Sequence, residues 1–196
     1  MTVNRKSALL VVDVQNDFCD RGALAVPDSV SIIPRINAYI TLFSVKGMPV
    51  FASRDWHPVD SAHFTLQGGQ WPKHCVRETA GALFHPELRL LHSTVIISKG
   101  TGREEDGYSV FDGADGSGNR FETLLKRLLI QELYVAGLAT DYCVKATVLD
   151  AVNRGISTRV CTDAIKGVNI HPGDDGQALE AMLSAGAEKI TIDLLH

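Results

Sequence analysis

Short apolar, β-branched runs alternate with helical patterns along the chain. Six of these runs predict strands, at residues 8–14, 49–55, 94–99, 132–138, 157–161 and 189–193. Four patterns predict helices, at residues 29–46, 121–131, 140–153 and 177–184. Because strands separated by helices are typical of α/β proteins, we expect a doubly wound, mostly parallel six-stranded sheet with helices on both faces.

Two predicted connections, residues 56–91 and 100–119, are far longer than the ~2–6 residues usual between strands and helices in such folds. Loops of that length in a compact domain usually carry function. The chain has 196 residues and shows no linker, shift in composition or internal repeat. We therefore expect residues 1–196 to form a single domain.

Reactive side chains stand where four of the predicted strands end. Three strands end at Asp13, Asp55 and Lys99, and Cys143 follows the fourth by a few residues. In open parallel sheets, ligands bind outside the carboxyl ends of the strands. Each residue alone has an ordinary explanation, as a turn cap, a solvated charge or a buried packing thiol. Their coincidence at one edge of the sheet favours a paired, functional cluster, since isolated buried charges cost several kcal/mol.

Cys143 falls in the first turn of a predicted helix, which favours a nucleophile. A free thiol has a pKa of about 8.5, and helix N-termini and neighbouring cations lower it. Lys99 would supply the cation, and Asp13 would act first as general base and later as general acid. The backbone N–H groups of Ala139 and Cys143, at the junction of strand and helix, are candidates for an oxyanion hole.

The first long loop concentrates metal-ligand chemistry. Asp55, His57, His63 and His74 lie within 20 residues of one another. Imidazoles and a carboxylate suit one divalent ion, with zinc favoured and iron or manganese as alternatives. Taken alone, this stretch indicates a metal hydrolase. The other histidines, His85, His92, His171 and His196, have no partners in the sequence and are interpreted as surface or structural residues.

Aromatic residues flank the expected cleft. Phe18 and Trp71 lie in loops on either side of it and could sandwich a flat ring, and Tyr108 is a weaker candidate of the same kind. Core packing is the commoner role of such side chains.

Composition narrows the function classes further. Hydrophobic residues make up 45% and charged residues 21%, and the net charge is −4 without a basic run, so nucleic-acid binding has little support. Residues 1–7 and the short apolar run after them fit neither a signal peptide nor a membrane span, so we expect a cytoplasmic protein with no membrane partner. Without a CxxC pattern, its four cysteines are expected to be free thiols. Oligomeric state stays open, a homo-oligomer included.

Five motifs resemble one family, in order from about residue 8 to 193. They are Val12 to Phe18, Asp55 to Pro58, Trp71-Pro72-x-His74, Lys99-Gly100 and Gly137 to Val144. Together they are similar to the nicotinamidase/pyrazinamidase branch of the isochorismatase-like cysteine hydrolases. The resemblance implies the isochorismatase-like fold. It also implies hydrolysis of nicotinamide, and of pyrazinamide, to the carboxylate and ammonia through a cysteine thioester, in NAD salvage.

The resemblance also implies roles for individual residues. Cys143 would be the nucleophile, Asp13 the proton-transfer residue and Lys99 the stabiliser of the thiolate. The metal ligands would be Asp55, His57, His63 and His74, and the bound metal would contact the pyridine nitrogen. The substrate-binding residues would be Phe18, Trp71, Tyr108 and Leu138, and the oxyanion hole would be formed by Ala139 and Cys143. A cis peptide bond is implied between Leu138 and Ala139.

Two alternatives remain open at this point. The protein could be another amidohydrolase of the same superfamily, acting on a carbamoyl or ureido substrate, although the histidine cluster argues against it. It could also be a metal-binding or ligand-binding protein that has lost catalysis, although the intact Asp13, Lys99 and Cys143 argue against that. Residues 103–118, rich in glycine and aspartate, depart most from the family pattern and leave substrate gating open.

Overall fold

The computed structural model describes residues 3–195. Within that range six strands form a parallel sheet in the order β3-β2-β1-β4-β5-β6. The strands are β1 (Ser7–Val12), β2 (Val50–Asp55), β3 (Val95–Lys99), β4 (Glu132–Leu138), β5 (Ser157–Lys166) and β6 (Glu188–Ile190). The α-helices in the described range are α1 (Ile33–Val45), α2 (Phe121–Arg127), α3 (Lys145–Asn153) and α4 (Asp174–Ser184). The predicted doubly wound α/β sheet is confirmed.

Strand β1 explains why the sheet is covered on both faces. All six of its residues are buried, as expected for a central parallel strand with a continuous apolar sequence. Leu9 and Val11 pack with α1 in one hydrophobic cluster. Ala8, Leu10 and Val12 point to the other face and pack with α2, α3 and α4 in a second cluster. The alternation of side chains along β1 therefore places helices on both faces.

Helix α1 begins and ends through local backbone geometry. A 3-10 turn at Ser29–Ile32 leads into it, so the predicted helix 29–46 is α-helical only from Ile33 to Val45. Gly47 adopts a φ of 68°, and its N–H donates to the carbonyl of Ser44. The N–H of Met48 donates to the carbonyl of Phe43. This is a Schellman motif, which requires the left-handed conformation that glycine adopts without cost.

Several predicted element bounds are wrong, for identifiable reasons. The predicted helix 121–131 ends at Arg127, because Leu129 adopts a φ of 55° and turns the chain. Strand β5 continues past residue 161, and its last residues pair with Gly137 and Leu138 of β4 after a shift in register. The predicted strand 189–193 is short, and a 3-10 turn at Ile192–Leu194 follows it.

The strand order creates a crevice at the carboxyl ends of the central strands. Strand β1 lies between β2 and β4, so the chain winds outward in opposite directions from it. The ends of neighbouring strands are level, since Asp55 pairs with Lys99 and Val12 with Gly137. Ligands of doubly wound sheets bind at this point of reversal. Within residues 3–195, no helix combines the length and apolarity needed to cross a bilayer.

Candidate active site

The buried ammonium of Lys99 joins the charged groups at this edge of the sheet. Its Nζ lies 2.7 Å from Asp13 Oδ2, and it also donates to Asp55 Oδ1 and to the carbonyl of Gly107. Cys143 Sγ lies 3.5 Å from the same nitrogen. Two oxygens and the sulfur therefore accept from the three N–H donors of the ammonium, and the Asp13 carboxylate forms an ion pair with it. Burial alone would lower the pKa of Lys99, but the two carboxylates raise it well above its usual value.

Asp13 is positioned directly after β1 by a left-handed residue conformation, with a φ of 49°. Its backbone N–H donates to the carbonyl of Ser53, and the Ser53 hydroxyl donates to Asp13 Oδ1 over 2.7 Å. Burial raises the pKa of Asp13 to about 6, although the attraction of Lys99 opposes the shift. A carboxyl group with that pKa can both accept and return a proton near neutral pH.

Cys143 lies in a π-helical turn, Thr140–Val144, between β4 and α3. Burial raises the pKa of its thiol well above the usual value, with Lys99 opposing. Lys99 acts in the expected direction, but the expected net lowering of this pKa is wrong for the resting site, because burial outweighs the attraction of the ammonium. A carboxylate oxygen of Asp13 lies within 4.8 Å of the sulfur. The geometry thus offers a proton acceptor rather than a preformed thiolate.

The backbone between β4 and Cys143 forms a tight turn. The peptide bond between Leu138 and Ala139 is cis, which confirms the bond implied by the family resemblance. The carbonyl of Ala139 accepts hydrogen bonds from the N–H groups of Tyr142 and Val144, each over 3.1 Å. Ala139 and Cys143 both line the same cavity, which is compatible with an oxyanion hole formed by their N–H groups. That role stays a prediction.

Three histidines converge beside this group. His57, His63 and His74 bring one ring nitrogen each to within 4.8 Å of the others. Their ring centroids are 5.2 to 5.8 Å apart. Phe64, itself buried, packs edge-on against both His57 and His74 at 5.5 Å.

Two of these histidines resist protonation, as metal ligands must. Burial, followed by the two neighbouring imidazoles, lowers the pKa of His63 to about 4, and burial also lowers the pKa of His74. Nδ1 of His74 lies 2.7 Å from the carbonyl of Pro72, which leaves Nε2 as its free ligand atom. His57 is fully buried, and within residues 3–195 neither of its ring nitrogens has a hydrogen-bond partner. A buried imidazole without hydrogen-bond partners, beside two imidazoles whose pKa is lowered, is suited to hold one divalent metal ion.

Asp55 lies between Lys99 and the histidine cluster and contacts both. Its Oδ1 accepts from Lys99, and its Oδ2 lies 3.5 Å from His57 Nε2. Burial would raise its pKa, but Lys99 and His57 outweigh burial and hold the pKa of Asp55 below its usual value. An ionised oxygen therefore faces the histidines, and its role as a fourth ligand stays a prediction.

A small cavity connects the nucleophile with the histidines. It is lined by all the predicted ring-binding residues, Phe18, Trp71, Tyr108 and Leu138, together with Asp55, His63, His74, Ala139 and Cys143. The indole Nε1 of Trp71 donates to the hydroxyl of Tyr108 over 2.9 Å. The wall of this cavity is apolar and aromatic, with a few polar groups directed into it, and such a lining suits a small flat ligand.

Comparison with known proteins shows which family the chain belongs to. The isochorismatase domain matches residues 7–193. The chain belongs to the isochorismatase family. It is 41% identical to a nicotinamidase of Escherichia coli (strain K12), over 94% of each chain, and 37% identical to a nicotinamidase/pyrazinamidase of Mycobacterium tuberculosis (strain ATCC 25618 / H37Rv), over 93% of this chain and 97% of that one. A crystal structure of a pyrazinamidase of Pyrococcus horikoshii in complex with zinc has a TM-score of 0.87 and 41% identity, covering 95% and 99% of the two chains.

Sequence reasoning missed two buried residues that organise this isochorismatase-family site. Ser53 orients Asp13, as described above, and strand alternation from Asp55 could have identified it. Gln15 bonds to both the N–H and the carbonyl of Asp55, over 2.8 and 2.9 Å, and to the carbonyl of Ala82. Its place inside the motif Val12 to Phe18 was the available signal.

The cavity wall also contains residues that no pattern in the sequence identified. They are Leu24, Tyr142 and Val168. Tyr142 packs edge-on against Trp71 at 4.9 Å and stacks on Tyr108 at 6.0 Å, so two loops and the nucleophile turn meet in one aromatic group. Only its position beside Cys143 could have identified Tyr142.

The remaining candidates lie outside this site. Cys19, Cys75 and Cys161 are buried free thiols, and no disulfide joins cysteines within residues 3–195, as expected. His92 and His171 are exposed and His85 is partly buried. His196 lies outside the described residues.

Proposed function

We propose that this protein hydrolyses nicotinamide to nicotinate and ammonia, and pyrazinamide in the same way, in NAD salvage. The observation that carries the proposal is that Cys143 and the histidine cluster open onto the same small aromatic cavity. A ring nitrogen can then face the histidines while a carboxamide three atoms away reaches the sulfur. The relatives named above, at 37 to 41% identity over nearly the whole chain, support this substrate class.

The histidines are proposed to hold zinc, together with Asp55 as a fourth ligand. Neutral imidazoles and a carboxylate are common zinc ligands, and the zinc complex of the similar pyrazinamidase supports the choice. A divalent ion held by these residues would supply a Lewis-acid contact for the ring nitrogen of the substrate. Phe18 and Trp71, both buried and both lining the cavity, would hold the ring plane.

The first half of the reaction forms a thioester. Asp13 takes the thiol proton as Cys143 Sγ attacks the carboxamide carbon, which becomes tetrahedral. The backbone N–H groups of Ala139 and Cys143 stabilise the oxyanion. Asp13 then gives the proton to the amide nitrogen, the C–N bond breaks, and ammonia leaves with the thioester still bound.

The second half regenerates the enzyme. Asp13, ionised again, accepts a proton from water as the water attacks the thioester carbon. Collapse of the tetrahedral intermediate breaks the C–S bond, and Asp13 returns its proton to the leaving thiolate. The carboxylic acid product loses its remaining proton to solvent and leaves as the carboxylate. Lys99 keeps Asp13 in place through both halves, because its ammonium lies 2.7 Å from Oδ2.

Ammonia release from nicotinamide tests the proposal. Cys143→Ala should lower kcat by roughly 10⁴-fold or more, and Asp13→Asn by roughly 10²–10⁴-fold. Cys161→Ala, which removes another buried thiol on β5, is the matched control and should keep wild-type turnover. Wild-type turnover in Cys143→Ala would contradict the mechanism. A higher kcat/KM for a ureido substrate than for nicotinamide would favour the alternative amidohydrolase.

A cytoplasmic location belongs to the same proposal. It is supported by the four free, buried cysteines within residues 3–195, since disulfides persist mainly in oxidising compartments.

A further inference from the structure

One wall of the cavity comes from a segment that is distant in sequence from the nucleophile turn. Val168 lines the cavity and lies in the connection between β5 and α4. The next residue, Asn169, adopts a φ of 54°, so the chain bends directly after Val168. A side chain on such an irregular segment needs a partner elsewhere if its position is to be fixed.

Asp141, two residues before Cys143, provides that partner. Its Oδ1 accepts the N–H of Val168 over 2.9 Å, and its Oδ2 accepts the N–H of Asn169 over 2.7 Å. Hydrogen bonds from N–H groups to an ionised carboxylate are shorter and stronger than neutral ones. The carboxylate thus uses both oxygens on the backbone of another segment, although a carboxylate in a first helical turn commonly caps its own helix.

Two further contacts show that the segment is fitted closely to Asp141. A Cβ at Gly167 would lie 2.4 Å from Asp175 Cβ and 3.3 Å from Asp141 Oδ1, so the close approach requires glycine there. Asn169 Oδ1 accepts the N–H of Asp175 over 2.9 Å, which links the same bend to the first turn of α4. The bend is therefore held from α4 on one side and from the nucleophile turn on the other.

We propose that Asp141 is a positioning residue that fixes Val168 relative to Cys143 and thereby sets which ring sizes fit the cavity. The inference rests on the proposed function, because it takes the occupant of the cavity to be the pyridine ring. Asp141 and Cys143 share one turn, so the wall and the nucleophile keep a constant separation. The ring is then confined on the side of Val168 while its carboxamide faces the sulfur.

Steady-state kinetics with nicotinamide and its ring-methylated analogues test this assignment. Asp141→Ala should raise KM for nicotinamide about tenfold, because it removes both hydrogen bonds that hold the bend and so loosens Val168, with a much smaller change in kcat. It should also reduce the preference for nicotinamide over the methylated analogues. Asp141→Asn keeps one acceptor oxygen and should be intermediate. An unchanged KM and preference in Asp141→Ala would overturn the inference.

Asp174→Asn is the matched control. It removes a carboxylate of similar exposure close by, whose Oδ2 accepts the N–H of His171 rather than that of Val168. It should leave KM and ring preference at wild-type values. The rate at which iodoacetamide alkylates Cys143 should be the same in all of these variants. Slower alkylation in Asp141→Ala would mean that Asp141 supports the nucleophile turn, and would overturn the inference.

A double-mutant cycle tests whether Asp141 and Val168 affect KM through the same interaction or independently. If Asp141 acts through Val168, adding Val168→Ala to Asp141→Ala should raise KM by much less than Val168→Ala does in the wild type. Additive effects would contradict the inference.

Hydrogen exchange gives a readout that does not depend on the substrate. The amides of Val168 and Asn169 should lose protection in Asp141→Ala and keep it in Asp174→Asn. Full protection in Asp141→Ala would overturn this inference alone. Failure of the wild type to release ammonia from nicotinamide would instead overturn the proposed function.

Discussion

The hydroxyl of Ser53 donates a 2.7 Å hydrogen bond to Asp13 Oδ1. Ser53 is two residues before Asp55 on β2, so the strand that brings Asp55 to Lys99 also orients Asp13. Both side chains are fully buried, and a hydrogen bond to the ionised carboxyl favours ionisation. Ser53 therefore helps to set the pH range in which Asp13 can accept a proton.

The activity of the wild-type enzyme should fall as the pH is lowered through about 6. Asp13 has to be ionised to accept the thiol proton, and burial raises its pKa to about 6. Above that pH the carboxylate is available, and below it the protonated fraction grows. The measurement is kcat/KM for ammonia release between pH 4.5 and about 8, with metal content followed at each pH. A flat profile from pH 5 to about 7 at constant metal content would contradict the role of Asp13.

Ser53→Ala should move this acidic limb to higher pH. Loss of the hydroxyl removes a hydrogen bond that lowers the pKa of Asp13, so the pKa rises by up to about one unit. Ser98→Ala on β3 is the control, because the Ser98 hydroxyl contacts Arg54 and not the site. A limb that stays in place in Ser53→Ala would show that the hydrogen bond does not govern the ionisation of Asp13.

Removal of the metal with a chelator should weaken substrate capture more than it affects the nucleophile. KM for nicotinamide should rise about tenfold or more, because the ring loses a positioning contact. Alkylation of Cys143 by iodoacetamide should continue at a similar rate, since the thiol lies on the Lys99 side of Asp55. Activity should return on addition of zinc. If the chelator abolished alkylation as well, the metal would be acting on the thiol itself.

Gly100→Ala should damage the histidine cluster. Gly100 has a φ of 61°, and a Cβ there would lie 2.5 Å from Cε1 and 2.7 Å from Nδ1 of the buried His57. Backbone strain and overpacking together should destabilise the fold by about 2–4 kcal/mol. Metal content and thermal stability measure the effect. Gly116→Ala, where no atom lies within 4 Å of the added Cβ, should match the wild type in both. Full metal content in Gly100→Ala would show that His57 can move.

The central part of the site could be predicted because it depends on strand ends. Asp13, Asp55 and Lys99 terminate or follow strands whose apolar sequences are unambiguous, and parallel pairing brings such ends together. The histidines could be predicted as a group because they share one loop. The raised pKa of Cys143 could not, because it depends chiefly on how deeply the fold buries the thiol.

Contacts between irregular segments could not be predicted. Asp141 reaches Val168 across 27 residues, and Gln15 reaches Ala82 across 67. No periodicity links such pairs. The register shift that carries β5 past residue 161 was missed for a similar reason, since pairing with Gly137 and Leu138 decides it and the local sequence does not.

The three oxygens around Lys99 also limit how this sequence can diverge. Loss of Lys99 would leave the buried carboxylates of Asp13 and Asp55 without a counter-charge, which costs about 3–5 kcal/mol in comparable pairs. That is a large part of the stability of an ordinary domain. Lineages that abandon this chemistry would therefore have to replace these residues together or pass through poorly folded intermediates. Relatives with altered activity should accordingly differ first in the cavity wall, where substitutions leave no charge unpaired.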